Sequence, residues 1–327
     1  VNVCPLGSMV TVYICQVSTR PKNVRIVPYL RGDENQMKEV LVLGCGYTGR
    51  RIAAKIRGYG GKVTATVRTP ESARTLAADG IAAICTDLDE PPLPTLPLAG
   101  ARVFYLAPPP AGGTTDPRMS RFLESCGNKQ PSRILYFSTS GVYGDCDGAW
   151  IDERRPVAPA ADRARRRLDA EEQLRAWHAD RHGELVILRV AGIYGPGRLP
   201  LERLRRRLPL VAEREAPFTN RIHVDDLVDV AVTAMERAPD GAIYNACDGH
   251  PTTMNDYFNR VADLTGLARP PVVPLAEAPE ALSAGMLSYM QESRRLSNRR
   301  LLDELGITLT YPILSEGLAS CFTDQVV

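Results

Sequence analysis

The chain has 327 residues, 44% of them hydrophobic, enough to bury a sizeable core in one large or two smaller globular domains. Forty basic against 38 acidic side chains leave a net charge of +2, which argues against a general nucleic-acid or membrane-surface role. Eight cysteines are scattered with no C-x-x-C pair and no Cys/His group at metal spacing, and no apolar run reaches the length of a membrane span, so the expectation is a cytoplasmic protein with reduced thiols and no metal.

Residues 1–36 share no pattern with the rest of the chain and read as an N-terminal extension, disordered or a start-site artefact, ahead of Met37. A short apolar run, Val40 to Leu43, then breaks into Gly44-Cys45-Gly46-Tyr47-Thr48-Gly49 and continues with apolar residues at helical spacing through Ile56. Strand, glycine turn and helix together predict a dinucleotide-binding turn. Gly44 permits the tight turn, Gly46 lets backbone approach a pyrophosphate, and Gly49 lets the helix lie close on the strand, with Tyr47 and Thr48 beside the phosphates at the helix N-terminus.

Strands are expected next at Lys62–Val67, Gly80–Ile84, Arg102–Ala107, Arg133–Phe137 and Leu185–Arg189, with helices between them at Glu71–Ala78, Arg118–Cys126 and Ala161–Arg181. Six strands at βαβ spacing predict an α/β fold, a doubly wound Rossmann-type parallel sheet over residues 37–195. Beyond Gly192-Ile193-Tyr194-Gly195-Pro196-Gly197 the alternation loosens into a helix ending at Arg237, a strand at Ala242–Ala246 and helices at Thr253–Leu264 and Asn298–Leu305. Residues 196–327 are therefore read as a small C-terminal substrate-binding lobe, with part of 221–247 returning to the sheet domain.

The glycine motif, Asp87 after the third strand, Ser138-Thr139-Ser140-Gly141-Val142-Tyr143-Gly144, Asp152-Glu153 with Pro156, Arg189 through Gly197, and His223-Val224-Asp225-Asp226 form an ordered set. It resembles the short-chain dehydrogenase/reductases in their extended branch of nucleotide-sugar epimerases and dehydratases. The Gly-x-Gly-Tyr-x-Gly spelling, the Pro108–Pro110 run and Arg294-Arg295-Leu296-Ser297-Asn298 look closest to atypical members of the YeeZ type. The resemblance implies an NAD(P) cofactor and a small-molecule substrate, a nucleotide sugar or another carbonyl or hydroxyl compound, in a monomer or homodimer. The second strand ends in Val67-Arg68-Thr69 with no acidic residue, which favours NADP over NAD through Arg68. By resemblance Asp87 approaches the adenine, and Leu106, Ala107, Ser138, Gly192 and Ile193 border the cofactor.

The catalytic centre departs from the family. Its Tyr-x-x-x-Lys pair puts an ammonium one turn from a phenol and lowers the phenol pKa. Here those places fall on Ala164 and Leu168, and no tyrosine occurs between Tyr143 and Tyr194. Three readings remain: an oxidoreductase using another proton source, a catalytically silent NADP-binding sensor, or an isomerase or lyase. For the first, Tyr143, Tyr194 or His223 supplies the proton with help from Thr139. Thr139 and Tyr143 are the preferred catalytic candidates, although a Val-Tyr-Gly turn equally suits a tyrosine that packs or contacts substrate, and Tyr194, Arg198 and His223 are the substrate contacts. The arginine clusters at 163–167 and 203–207 either face an anionic substrate or, as is commoner, form solvated helix faces. His178 and His182 read as surface residues and Asp225-Asp226 as a helix cap, with Arg221 and His223 bordering the substrate cleft and Arg198, Arg294 and Arg295 as candidates for an acidic substrate.

Overall fold

The computed structural model describes residues 39–180 and 182–322. The expectation about residues 1–36 lies outside them. Seven strands, β1 (Glu39–Leu43), β2 (Lys62–Val67), β3 (Ala82–Cys85), β4 (Arg102–Tyr105), β5 (Arg133–Thr139), β6 (Glu184–Val190) and β7 (Ala242–Ala246), form one parallel sheet in the order β3-β2-β1-β4-β5-β6-β7. That is the doubly wound α/β arrangement expected from the alternation. The sheet has one strand more than the six of the alternating region, because β7 returns after the chain has left for the lobe. It pairs with β6 from Ala242↔Val186 to Ala246↔Val190.

Successive side chains of a strand point to opposite faces, so each buried strand supplies two cores. In β1, Val40 and Val42 join the core under α1 (Tyr47–Gly58), α2 (Pro70–Ala78) and α5 (Val224–Arg237), through Ile52, Ile56, Leu76 and Leu227. Leu41 and Leu43 face α3 (Pro117–Cys126) and α4 (Asp162–Ala179), through Phe122, Leu174 and Trp177. A separate apolar cluster, including Tyr194, Leu210, Phe258, Val261 and Leu318, gathers residues that follow β6, where α6 (Met254–Thr265) packs beside Leu314–Ser320.

Short strand pairs join lobe to sheet. Gly192–Tyr194 runs parallel to Arg221–His223, and Trp150–Ile151 parallel to Arg295–Leu296. These pairings bring the segments after β5 and β6 to the same end of the sheet as the glycine turn, the carboxyl end where open sheets bind ligands. Among the described residues no helix is long and apolar enough to cross a membrane, and no three His, Cys, Asp or Glu residues cluster as a metal site.

Candidate functional site

Gly44 has φ +88°, and a Cβ there would stand 2.6 Å from the Ala107 nitrogen, so both the left-handed backbone and the chain leaving β4 demand glycine. A Cβ at Gly49 would meet the Gly44 carbonyl oxygen at 3.1 Å and Val42 Cγ1 at 3.2 Å; α1 can lie against β1 because this position is bare. Gly46 has nothing within 4 Å of its Cβ position and presents open backbone to a cleft of about 1000 Å³. There α1 begins without a side-chain cap and without an acidic residue in its first turn, leaving its first N–H groups unsatisfied beside the cleft. A bare backbone and a free positive helix end fit the pyrophosphate of a dinucleotide.

From the turn the cleft extends along the carboxyl ends of the strands. Arg68, just past β2, leaves its side chain 68% exposed and lies 3.6 Å from Asp87, with Ser72 of α2 beside them on the cleft wall. Leu106, Ala107 and Pro108–Pro110 leave β4 along the same wall, held where the Leu106 amide donates to the Leu43 carbonyl at 2.8 Å. Gly192, Ile193 and Tyr194 line the cleft after β6. Tyr47 does so with its hydroxyl donating to the Pro196 carbonyl at 2.9 Å, and Arg198 lies 5.2 Å over its ring.

Thr139 ends β5 and lines the cleft; its oxygen accepts the Gly141 amide at 3.2 Å, which leaves its hydroxyl hydrogen available to a ligand. Ser138, also on the cleft, instead donates inward to the buried Glu171 carboxylate at 2.5 Å. Tyr143, expected as a proton donor, is 1% exposed and is not among the residues lining the cleft. Its hydroxyl donates to Asn245 Oδ1 at 2.8 Å, and burial pushes its pKa up to about 12. The tight turn after β5 carries its ring into a core with Val142, Cys146 and Ile151, which sequence spacing did not reveal.

His223 likewise does not line the cleft. It is fully buried, its Nδ1 accepts the Asp225 amide at 3.2 Å as the cap of α5, and burial lowers its pKa. The cap is thus His223 rather than the aspartates: Asp226 turns away to accept the amides of Thr310 and Tyr311 at 2.7 and 2.9 Å. Tyr194 reaches the cleft at 1% exposure, with its hydroxyl unpartnered and its pKa raised by burial.

Of the two readings of the α4 arginine cluster, the solvated face holds only for Arg165. Arg165 is exposed and pairs with Asp162 at 2.8 Å, but Arg163, Arg166 and Arg167 line the cleft. Arg166 donates to the Gly113 carbonyl and Arg167 to the Phe137 carbonyl, both at 2.6 Å; Arg163 bonds Ser288 and lies 4.1 Å over the Tyr289 ring. A signal was present: these positions continue, at i+3 and i+4 steps, the helical stripe that buries Ala170, Leu174 and Trp177. Arg221 and Arg294, both weighed as cleft residues from the sequence, do line it, and Tyr257, which the sequence did not single out, lines it with them. Ala164 is buried 3.4 Å from the Cβ position of Gly141, and no lysine follows Lys129 in the sequence.

A parallel sheet with a glycine turn and a cleft across its carboxyl ends defines an NAD(P)-binding protein of Rossmann type. The model of the NAD dependent epimerase/dehydratase family matches residues 118–247. Protein YeeZ of Escherichia coli K12 is 27% identical over 292 residues, covering 84% of this chain and 97% of that one. A 3-diazoavenalumate denitrifying reductase from a Streptomyces species is also 27% identical, over 85% of this chain and 98% of its own. A solved structure from Silicibacter pomeroyi, described as a functionally unknown conserved protein, superposes with a TM-score of 0.77 at 32% identity, covering 88% of this chain and 99% of that one. The chain belongs to the atypical short-chain dehydrogenase/reductases close to the NAD-dependent epimerase/dehydratase family.

Proposed function

We propose that the protein is an NADP-dependent reductase that carries out hydride transfer without a tyrosine acid. The observation that carries this reading is the continuity of one cleft from the bare backbone at Gly46 to Thr139 and the arginines of α4. The cofactor would lie along Gly44 to Gly49, Leu106, Ala107, Ser138, Gly192 and Ile193, with Asp87 near the adenine. Arg68, exposed at the end of β2 beside Ser72, favours a 2′-phosphate over a bare ribose hydroxyl. Bound there, the reduced nicotinamide supplies a hydride to an electrophilic carbon.

Carbonyl reduction also requires that negative charge developing on oxygen be held and finally protonated. Thr139 has a free hydroxyl hydrogen for that oxygen, and Arg167 brings a positive charge to the same wall. Together they stabilise the alkoxide electrostatically, and water supplies the proton that makes the alcohol. Arg198 contacts the substrate, and Tyr194 stands in the cleft wall with its hydroxyl turned into the core. An arginine is a poor acid near neutrality but a good electrostatic partner, so this arrangement replaces proton donation with charge stabilisation.

The test is loss of reduced-nicotinamide absorbance when purified protein and NADPH meet a panel of aldehydes and ketones. Turnover is expected, with kcat falling about a hundredfold in Thr139→Val and largely restored in Thr139→Ser, at unchanged NADPH affinity. Tight NADPH binding without turnover of any carbonyl would replace this reading by the silent sensor, which the Ala164 and Leu168 positions favour.

A further inference from the structure

Arg221 is an unusual occupant of the cleft wall on the lobe side. It follows Asn220 into the short strand that pairs with Gly192–Tyr194, and it is 8% exposed. Burying a guanidinium is costly unless a carboxylate or a full set of acceptors compensates it. Arg294 meets this requirement through Glu292 at 3.0 Å and the Gly144 carbonyl at 2.6 Å. Arg221 has no such partner among the described residues: its Nη1 donates to Thr252 Oγ1 at 2.9 Å, and the Tyr257 ring lies 4.3 Å from its Cζ. Asp248, whose amide donates to the Arg221 carbonyl, forms no ion pair with it, and burial lowers the pKa of the guanidinium.

One edge of the planar group is therefore used by Thr252 and one face by Tyr257, while the remaining N–H donors border the cleft. A guanidinium edge with two parallel donors matches a two-oxygen planar anion. Phe218, Met254, Phe258 and Tyr289 supply the apolar part of the surrounding cleft wall, and Arg163 and Arg294 on it are paired with Glu292. The apolar and aromatic members suit a hydrocarbon or aryl body beside the anion.

We infer that Arg221 anchors the carboxylate of an aryl or otherwise apolar carboxylic acid, with Tyr257 stacked behind the guanidinium and the body of the ligand lying towards Thr139. This rests on the reductase reading for the identity of the ligand as substrate, but the site is a binding site whether or not turnover occurs. The sequence places Arg221 near the substrate cleft through its Arg-Ile-His-Val-Asp-Asp setting; its burial without a carboxylate is what makes it an anion anchor.

Calorimetric titration of the full chain saturated with NADPH tests it, using 2-naphthoate, the isosteric neutral 2-naphthamide, and inorganic phosphate as probes. The expected result is binding of naphthoate well ahead of both others, weakened about tenfold to a hundredfold in Arg221→Met and less in Arg221→Lys, with NADPH affinity unchanged. Equal binding of naphthoate and naphthamide to the unaltered protein overturns the assignment and needs no variant to fold. Phosphate binding ahead of naphthoate overturns it in favour of a phosphorylated ligand, and unchanged naphthoate affinity in a folded Arg221→Met overturns it as well. Failure of the cofactor reading would look different: no heat on titration with NADPH before any probe is added.

Discussion

Arg68 and Tyr143 show how far a side chain's meaning depends on where its end is held. Arg68 extends from the end of β2 with most of its side chain in solvent, and its contact with Asp87 at 3.6 Å is a weak surface pair that a phosphate can displace. Arg68→Ala is expected to weaken NADPH binding about tenfold and to leave NADH binding nearly unchanged, measured by fluorescence titration of both cofactors. Tyr143 is the reverse case. Its hydroxyl is committed to Asn245 and its ring lies beside the Arg189 guanidinium, 4.8 Å from the Cζ, so Tyr143→Phe should cost about 1 kcal/mol of stability in urea unfolding. On the proposed mechanism kcat in that variant stays within about twofold, because a phenol buried off the cleft does not deliver the proton; a loss of a hundredfold would return Tyr143 to the chemistry.

Between β5, β6 and α4 the fold stores a fully buried charge. Glu171 of α4 accepts from Arg189 of β6 at 2.8 and 3.2 Å, from Arg175 one helical turn on at 2.7 Å, and from Ser138 of β5. A lone carboxylate at that depth would be strongly disfavoured; with these donors it fastens the helix to the strands whose ends carry Thr139 and Gly192. Glu171→Gln leaves Arg189 without its counter-charge and is expected to destabilise by about 3 kcal/mol in chemical denaturation. The double change Glu171→Gln with Arg189→Met should recover part of that loss, since the penalty is an unpaired buried charge rather than a missing attraction. The same helix shows why its arginines are not a solvated face: Arg163, Arg166 and Arg167 sit on the stripe that meets the sheet, beyond the point where the sheet's edge gives way to the cleft.

Across the whole molecule, the buried carboxyls make stability depend on pH. Burial raises Asp248 to about 7 and Asp226 to about 6, both above an ordinary aspartate. A carboxyl with a raised folded pKa keeps its proton in the native state while the unfolded chain has lost it, so its contribution is fully present below the unfolded pKa and is lost as pH rises through the folded value. For Asp248 that window runs from about 4 to about 7, with Arg221, His250 and Asp226 as the charged neighbours that modulate it. The melting temperature is expected to fall between pH 6 and pH 8 by about a few degrees, and Asp248→Asn, which still accepts the His250 amide, should flatten the profile and raise the value at pH 8. Scanning fluorimetry of both proteins across that range is the check.

Much of the framework was legible in the chain because it derives from short-range chemistry. Alternating apolar runs and helical stripes foretold the sheet, and the places of Gly44, Gly46 and Gly49 come from backbone sterics that any chain must obey. The assignment of Ala164 and Leu168 to the places of a tyrosine and lysine pair rests on the family resemblance, and only residue identity enters it. What the linear order hid was direction. Tyr143 and His223 have the chemistry of a site but point into packed cores, whereas Arg163, Arg166 and Arg167 suit a solvated helix face and line the cleft. That choice is made when the segments after β5 and β6 pair with distant strands, Gly192–Tyr194 with Arg221–His223, and no property of either segment alone contains it.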